Sequence, residues 1–165
     1  MQLYFIRHGQ SENNLLWQRT GASDGRSQDP ELTQAGRQQT EILARFLSQP
    51  ASDVAAQPFD PQNVTGFGIT HLYSSLMVRA VATGTAIARA LDLPLVAWEQ
   101  VHEAGGIYHK DAQTGERVGQ QGHNRAFFET HYPHLVLPPS LGQRGWWDRP
   151  YEEFEQRRDR TRRFL

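Results

Sequence analysis

The chain has 165 residues, the length of one domain, and a chain of that size buries roughly 70% of its extended surface in one core. Hydrophobic residues make up 38%, charged residues 21%, and the formal net charge is -1, which excludes a disordered or supercharged chain and leaves no global nucleic-acid footprint. No apolar run approaches the roughly 18 residues of a membrane span and no signal-peptide pattern follows Met1, so no membrane association is expected and the cytosol is the expected compartment. With no cysteine, disulfides, thiolate nucleophiles and thiolate metal sites drop out, and the seven histidines form no tight ligand cluster, so no metal is expected.

Residues 3–6, Leu-Tyr-Phe-Ile, lie ahead of a glycine and predict a short buried strand. That strand presents Arg7 and His8 at its carboxyl end, where open α/β sheets bind ligands. Residues 11–19 read as a short helix or turn and residues 21–30 as a turn-rich loop. Thr33 is a good N-cap for a helix over 34–47, in which Gly36 costs about 1 kcal/mol relative to alanine. Close approach of another segment is the expected reason for it. Residues 50–68, with Pro50, Pro58 and Pro61, form an excursion before a second strand at 69–73. An alanine-rich helix follows over 76–91, then a third short strand at 95–98 after the break at Asp92-Leu93-Pro94.

Farther on, residues 105–122 predict a polar loop over the site, 124–131 a helix and 133–139 an irregular stretch. Residues 145–150, with Trp146 and Trp147, read as a lid or docking surface. Residues 151–165 predict a charged amphipathic helix with Phe154, Arg158 and Arg162 spaced by four. Its arginines stand beside Glu152, Glu153 and Glu155, which reads as a solvated face rather than a nucleic-acid surface. A strand, helix, strand, helix, strand series calls for a further strand after that last helix.

Three constellations carry chemistry. In the first, Arg7 offers a planar fork suited to phosphate, Gly9 lets the backbone approach closely, and Ser11 and Asn14 add neutral donors within one turn of chain. Taken alone, His8 is more often a structural residue bonded to a loop carbonyl; with these neighbours it points to a phosphate or carboxylate pocket. The second is Tyr73-Ser74-Ser75-Leu76-Met77-Val78-Arg79, where Arg79 falls one turn into a helix and can point back at the strand end. A serine N-cap followed by a surface arginine is the bland alternative. The third is Val101-His102-Glu103-Ala104-Gly105, in which Glu103 is a general acid if shelter raises its pKa, His102 is the other candidate for titration, and a solvated glutamate is the plain reading.

The motifs Arg7-His8-Gly9-Gln10-Ser11-Glu12-Asn13-Asn14, Leu32-Thr33-Gln34-Ala35-Gly36 and Tyr73-Ser74-Ser75-Leu76-Met77-Val78-Arg79-Ala80, in this order and spacing, resemble the histidine phosphatase superfamily, which includes the phosphoglycerate mutases. The resemblance implies a three-layer α/β/α sandwich with a mostly parallel central sheet, in a single domain over residues 1–165. It implies His8 as the nucleophile that forms a phosphohistidine, Arg7 and Arg79 as phosphate clamps, Asn14 with Ser11 as further phosphate contacts, and Glu103 as the acid. The implied reaction is phosphomonoester hydrolysis of a small-molecule phosphate ester, without cofactor; oligomeric state is left open. Mutase-type transfer is the alternative, disfavoured because Asn13 stands where the mutases carry tryptophan. Family members also carry a second catalytic histidine after a late strand, which this chain lacks. The expectation is therefore a domain incomplete at its C-terminus, its C-terminal strand missing from between the strands ending at His8 and Ser74, and a non-catalytic phosphate-binding fragment or pseudo-enzyme is the third reading.

Overall fold

A computed structural model describes residues 2–49, 60 and 62–164. Its helices are α1 (Glu12–Thr20), α2 (Gln34–Leu47), α3 (Val78–Leu91), α4 (Arg125–His131) and α5 (Phe154–Phe164). Its strands are β1 (Leu72–Ser74), β2 (Leu95–Ala97), β3 (Tyr108–Lys110), β4 (Arg117–Gly119) and β5 (Leu135–Val136), with a 3-10 turn at Glu99–Val101.

The fold is mixed α/β, built on a parallel sheet in the order β1-β2-β5, with Leu72 opposite Leu95 and Leu95 opposite Leu135. Parallel neighbours need crossovers, and α3 supplies the one between β1 and β2. The main core gathers Leu76, Val81, Leu95, Ile107, Phe128, Trp146 and Trp147, while Ala44, Leu47 and Ile87 form a smaller cluster where α2 meets α3. Among the described residues, no helix is long and apolar enough to cross a membrane.

The helix read over 34–47 has those bounds, with the Thr33 hydroxyl accepting from the Gly36 amide at 3.0 Å. The close approach expected at Gly36 is also found. A Cβ there would fall onto the Gln10 carbonyl oxygen, and a Cβ on Gly9 onto the Gly36 oxygen. Gly9 thus serves a helix crossing, where the sequence suggested approach to an anion. The Thr33 amide donates to Gln10 O at 2.9 Å, and Ser11 bridges Leu32 in antiparallel sense, so residues 9–12 are clasped to the start of α2.

Four expectations are corrected. Residues 3–6 form no strand among the described residues, and Leu3, Phe5 and Ile6 are exposed. The polar loop at 105–122 contains the antiparallel pair β3–β4, and the stretch at 133–139 contains β5, whose pairing with β2 overrides its weak local signal. Trp146 and Trp147 are 5% and 4% exposed, so they are core and not a lid. Most of the excursion at 50–68, namely 50–59 and 61, lies outside the described residues.

Candidate active site

The clasp on α2 brings His8 to the N-terminal end of α3. The Gly9 amide donates to Thr83 Oγ1 at 3.2 Å, and the same hydroxyl donates to Arg79 O at 2.8 Å. His8 is half-buried, and its ring is fixed at both nitrogens: Nδ1 lies 2.7 Å from Gly9 O, and Arg79 Nε donates to Nε2 at 3.0 Å. A carbonyl can only accept and a guanidinium can only donate, so the proton sits on Nδ1 and the lone pair on Nε2. Burial pushes the His8 pKa below its ordinary value; the Gly9 carbonyl bond opposes this, and the charges of Arg79 and Arg7 add to it, so the ring is neutral at pH 7.

Arg79 is 5% exposed, which rules out the surface arginine that was the alternative reading. Its Nη2 donates to Glu103 Oε2 and to Met77 Sδ, and Nη1 lies 3.5 Å from Asp29 Oδ1. Neither Ser74 nor Ser75 is the N-cap of α3; the cap residue is Met77, which has no capping side chain. Asp29, from the loop at 21–30, does that work by accepting from the Val78 amide at 3.1 Å. Its side chain is 4% exposed and its Oδ2 is buried without a partner. Burial raises its pKa to about 7, against the opposing pull of Arg79 and the Val78 amide.

Arg7 is exposed and makes no hydrogen bond or ion pair among the described residues. Ser11 and Asn14 are engaged with each other in a capping box on α1: Ser11 Oγ accepts from the Asn14 amide, and Asn14 Oδ1 accepts from both Ser11 N and Ser11 Oγ at 3.0 Å. The Asn14 Nδ2 group is what remains for an anion. Glu103 is not sheltered: its side chain is 64% exposed. His102 points away, with Nδ1 on the Glu103 carbonyl, its ring 4.8 Å from Trp147, and Nε2 3.8 Å from buried Glu152. Burial lowers its pKa to about 4, so it is a neutral core histidine at pH 7.

One cavity of about 190 Å³ collects Arg7, His8, Ser11, Asn14, Arg79 and Glu103, while His102, the other titratable candidate, lies outside it. It also contains Arg26, which the sequence reading missed, and Asp29 reaches the site through Arg79. Both come from the turn-rich loop, where no periodicity or motif marks a residue for burial. A larger cavity of about 980 Å³ lies on the other side of that loop, between Gln28, Asp29, β4 and Arg149; neither His8 nor Arg79 lines it.

Residues 3–58, which carry Arg7-His8-Gly9, match the family model of the histidine phosphatase superfamily (branch 1). The chain is also similar to two solved mycobacterial structures. One, a mycobacterial hydrolase 1, is 20% identical with a TM-score of 0.41 over 76% of this chain and 45% of that one. The other, a mycobacterial glucosyl-3-phosphoglycerate phosphatase in its native form, is 22% identical with a TM-score of 0.38 over 76% of this chain and 44% of that one. The chain thus spans less than half the length of the solved chains it matches. No curated protein matches it.

Proposed function

We propose that this site hydrolyses phosphomonoesters through a phosphohistidine on His8. The observation that carries the reading is the fixed tautomer: a neutral imidazole with its lone pair on Nε2, facing a guanidinium in a cavity lined by two further arginines. Nε2 attacks phosphorus, the Nε2–P bond forms as the ester P–O bond breaks, and the leaving alkoxide takes a proton from Glu103. Water then attacks the phosphohistidine, Glu103 accepts its proton, and inorganic phosphate departs from a restored neutral His8. Arg7 and Arg79 hold the equatorial oxygens, where charge accumulates. Mutase-type transfer shares the first half and differs only in the hydroxyl that takes the phosphoryl group.

Brief incubation with a phosphate-labelled aryl phosphate followed by quenching tests this. Label on the protein that survives alkali, is lost in acid and is absent from His8→Ala is the expected result. One observation favours phosphate binding without turnover: among the described residues no other histidine lines this cavity. Tight phosphate binding with no label on the wild-type protein would establish that reading instead.

A further inference from the structure

Asp29 stands behind the site rather than in it. Its side chain lines the larger cavity and not the one that holds His8, so it reaches an anion bound there only through α3 and Arg79. Oδ1 accepts from the Val78 amide at 3.1 Å and lies 3.5 Å from Arg79 Nη1, while Oδ2 is buried without a partner. The loop is pinned on both sides of it. Asn13 donates from Nδ2 to Ser27 O at 2.7 Å and accepts from Ser27 N at Oδ1 at 2.9 Å, and the Glu12 amide donates to Glu31 O at 3.0 Å. The carboxyl therefore cannot swing away from the guanidinium when its own charge changes.

Arg79 is the shared partner. Nε serves His8, Nη2 serves Glu103 and Met77 Sδ, and Nη1 faces Asp29. With Asp29 protonated, the carboxylate of Glu103 alone opposes the guanidinium. With Asp29 ionised, two carboxylates flank one cation, and an arriving dianion meets a charge already neutralised. Burial places that change near pH 7. The charged groups around Asp29 are Arg79 on α3, Arg26 and Glu31 along its own loop, and Glu116, Arg117, Asp148 and Arg149 around the larger cavity. These are residue types that ordinarily hold their charge from pH 6 to 8. His8, beyond Arg79, and His123, across the cavity, both titrate below the ordinary 6.5, and Tyr132 titrates above the ordinary 10.0. Asp29 is thus the group of this set whose charge changes around pH 7.

We propose that Asp29 is a positioning residue that sets the grip of Arg79 on an anion from behind, as a rival counter-ion that the anion itself never touches. The grip is strong while the Asp29 carboxyl holds its proton and weakens when the proton leaves. This deepens the hydrolase reading and rests on it for Arg79 as the phosphate clamp. Inorganic sulfate is the probe, because it stays a dianion from pH 6 to 8 and is not turned over. Titration of the full chain, followed by NMR through the resonances of His8 and Arg79, gives the affinity at each pH. Asp29→Asn and the wild type should bind sulfate about equally at pH 6. At pH 8 the variant should bind it roughly 3- to 10-fold more tightly, since one pH unit past the midpoint is worth at most about tenfold. A second measurement needs no variant: the Asp29 side-chain carboxyl carbon should titrate near pH 7, and saturating sulfate should move that midpoint upward, as reciprocity requires. A residue that served only to cap α3 would leave the midpoint in place. Equal affinities of the two proteins at pH 8, a midpoint indifferent to sulfate, or no sulfate bound beside His8 and Arg79 would each overturn the inference. Release of inorganic phosphate from esters is scored separately. Sulfate binding linked to the Asp29 proton, in a protein without turnover, would sink hydrolysis and uphold the role of Asp29.

Discussion

Asp29 holds one backbone amide and one cation with a single oxygen and leaves the other bare: Oδ1 caps Val78 and faces Arg79, while Oδ2 is buried without a partner. Burial dominates, so the carboxyl binds its proton up to about pH 7 in the folded chain, where an unfolded aspartate releases it near its ordinary value of 3.8. Between those values the folded state holds a proton that the unfolded state has lost, so stability falls as pH rises through that window. His8 acts in the opposite sense. Its folded pKa is depressed, so stability is lost as pH falls below 6.5 and the unfolded ring takes up a proton that the folded ring refuses. Asp29→Asn separates the two, because the amide keeps an oxygen for Val78 and removes the titration. Urea midpoints at pH 5 and pH 8 should show Asp29→Asn gaining more over the wild type at pH 8 than at pH 5, a comparison in which the depressed histidines His8, His102 and His123, common to both proteins, cancel. Equal gains at the two pH values would mean that burial of Asp29 contributes nothing to the pH sensitivity of the fold in that range.

At the scale of elements, the site depends on two backbones crossing with no side chain between them. Gly36, inside α2, and Gly9, just after His8, are each other's reason. Replacing Gly36 with alanine would ordinarily favour a helix by about 1 kcal/mol. Here the new Cβ meets the Gln10 carbonyl, and a backbone cannot rotate aside as a flexible side chain can. The net effect should be destabilisation of roughly 1–3 kcal/mol, accompanied by weaker phosphate binding because Gln10 moves with His8. Gly142→Ala is the control: a Cβ there meets nothing within 4 Å, and its urea midpoint should barely change. Equal stability of the two variants would remove the crossing from the account. The crossing also marks how far the sequence could be read. A glycine in an amphipathic helix announces a neighbour, and α1, α2, α3 and α4 follow from caps and periodicity within a few residues of their bounds. The strand at 3–6 did not follow, because pairing belongs to two segments and only one is visible in an apolar run. For the site, His8, Arg7, Arg79, Asn14 and Ser11 were carried by motifs and Glu103 by its place after the third strand, whereas Asp29 and Arg26 depend on where a loop folds back, which local pattern does not encode.

For the molecule as a whole, the question is what docks α5, whose outward surface is polar and charged. Just before it, Glu152 is 6% exposed, and Arg160 closes on it through two bonds, Nε to Oε1 at 2.6 Å and Nη2 to Oε2 at 2.9 Å. Arg160 Nη1 continues to the Gln100 carbonyl at 2.6 Å, in the 3-10 turn that leads into Glu103. Burial alone would raise the Glu152 pKa, but the Arg160 bonds, with help from His102, hold it below its ordinary value. The last helix is therefore fastened to the segment that carries the proposed acid, with the His102 ring and the Trp146–Trp147 pair packed beside the joint. Arg160→Met keeps the aliphatic bulk and strands a buried carboxylate. Breaking such a pair costs roughly 3–5 kcal/mol, and the low end applies because Arg160 retains 14% exposure. Thermal unfolding should register that loss, and Glu152→Gln added to Arg160→Met should recover part of it by removing the stranded charge. A double variant no more stable than Arg160→Met would mean that side-chain packing, rather than the ion pair, holds α5 against the turn.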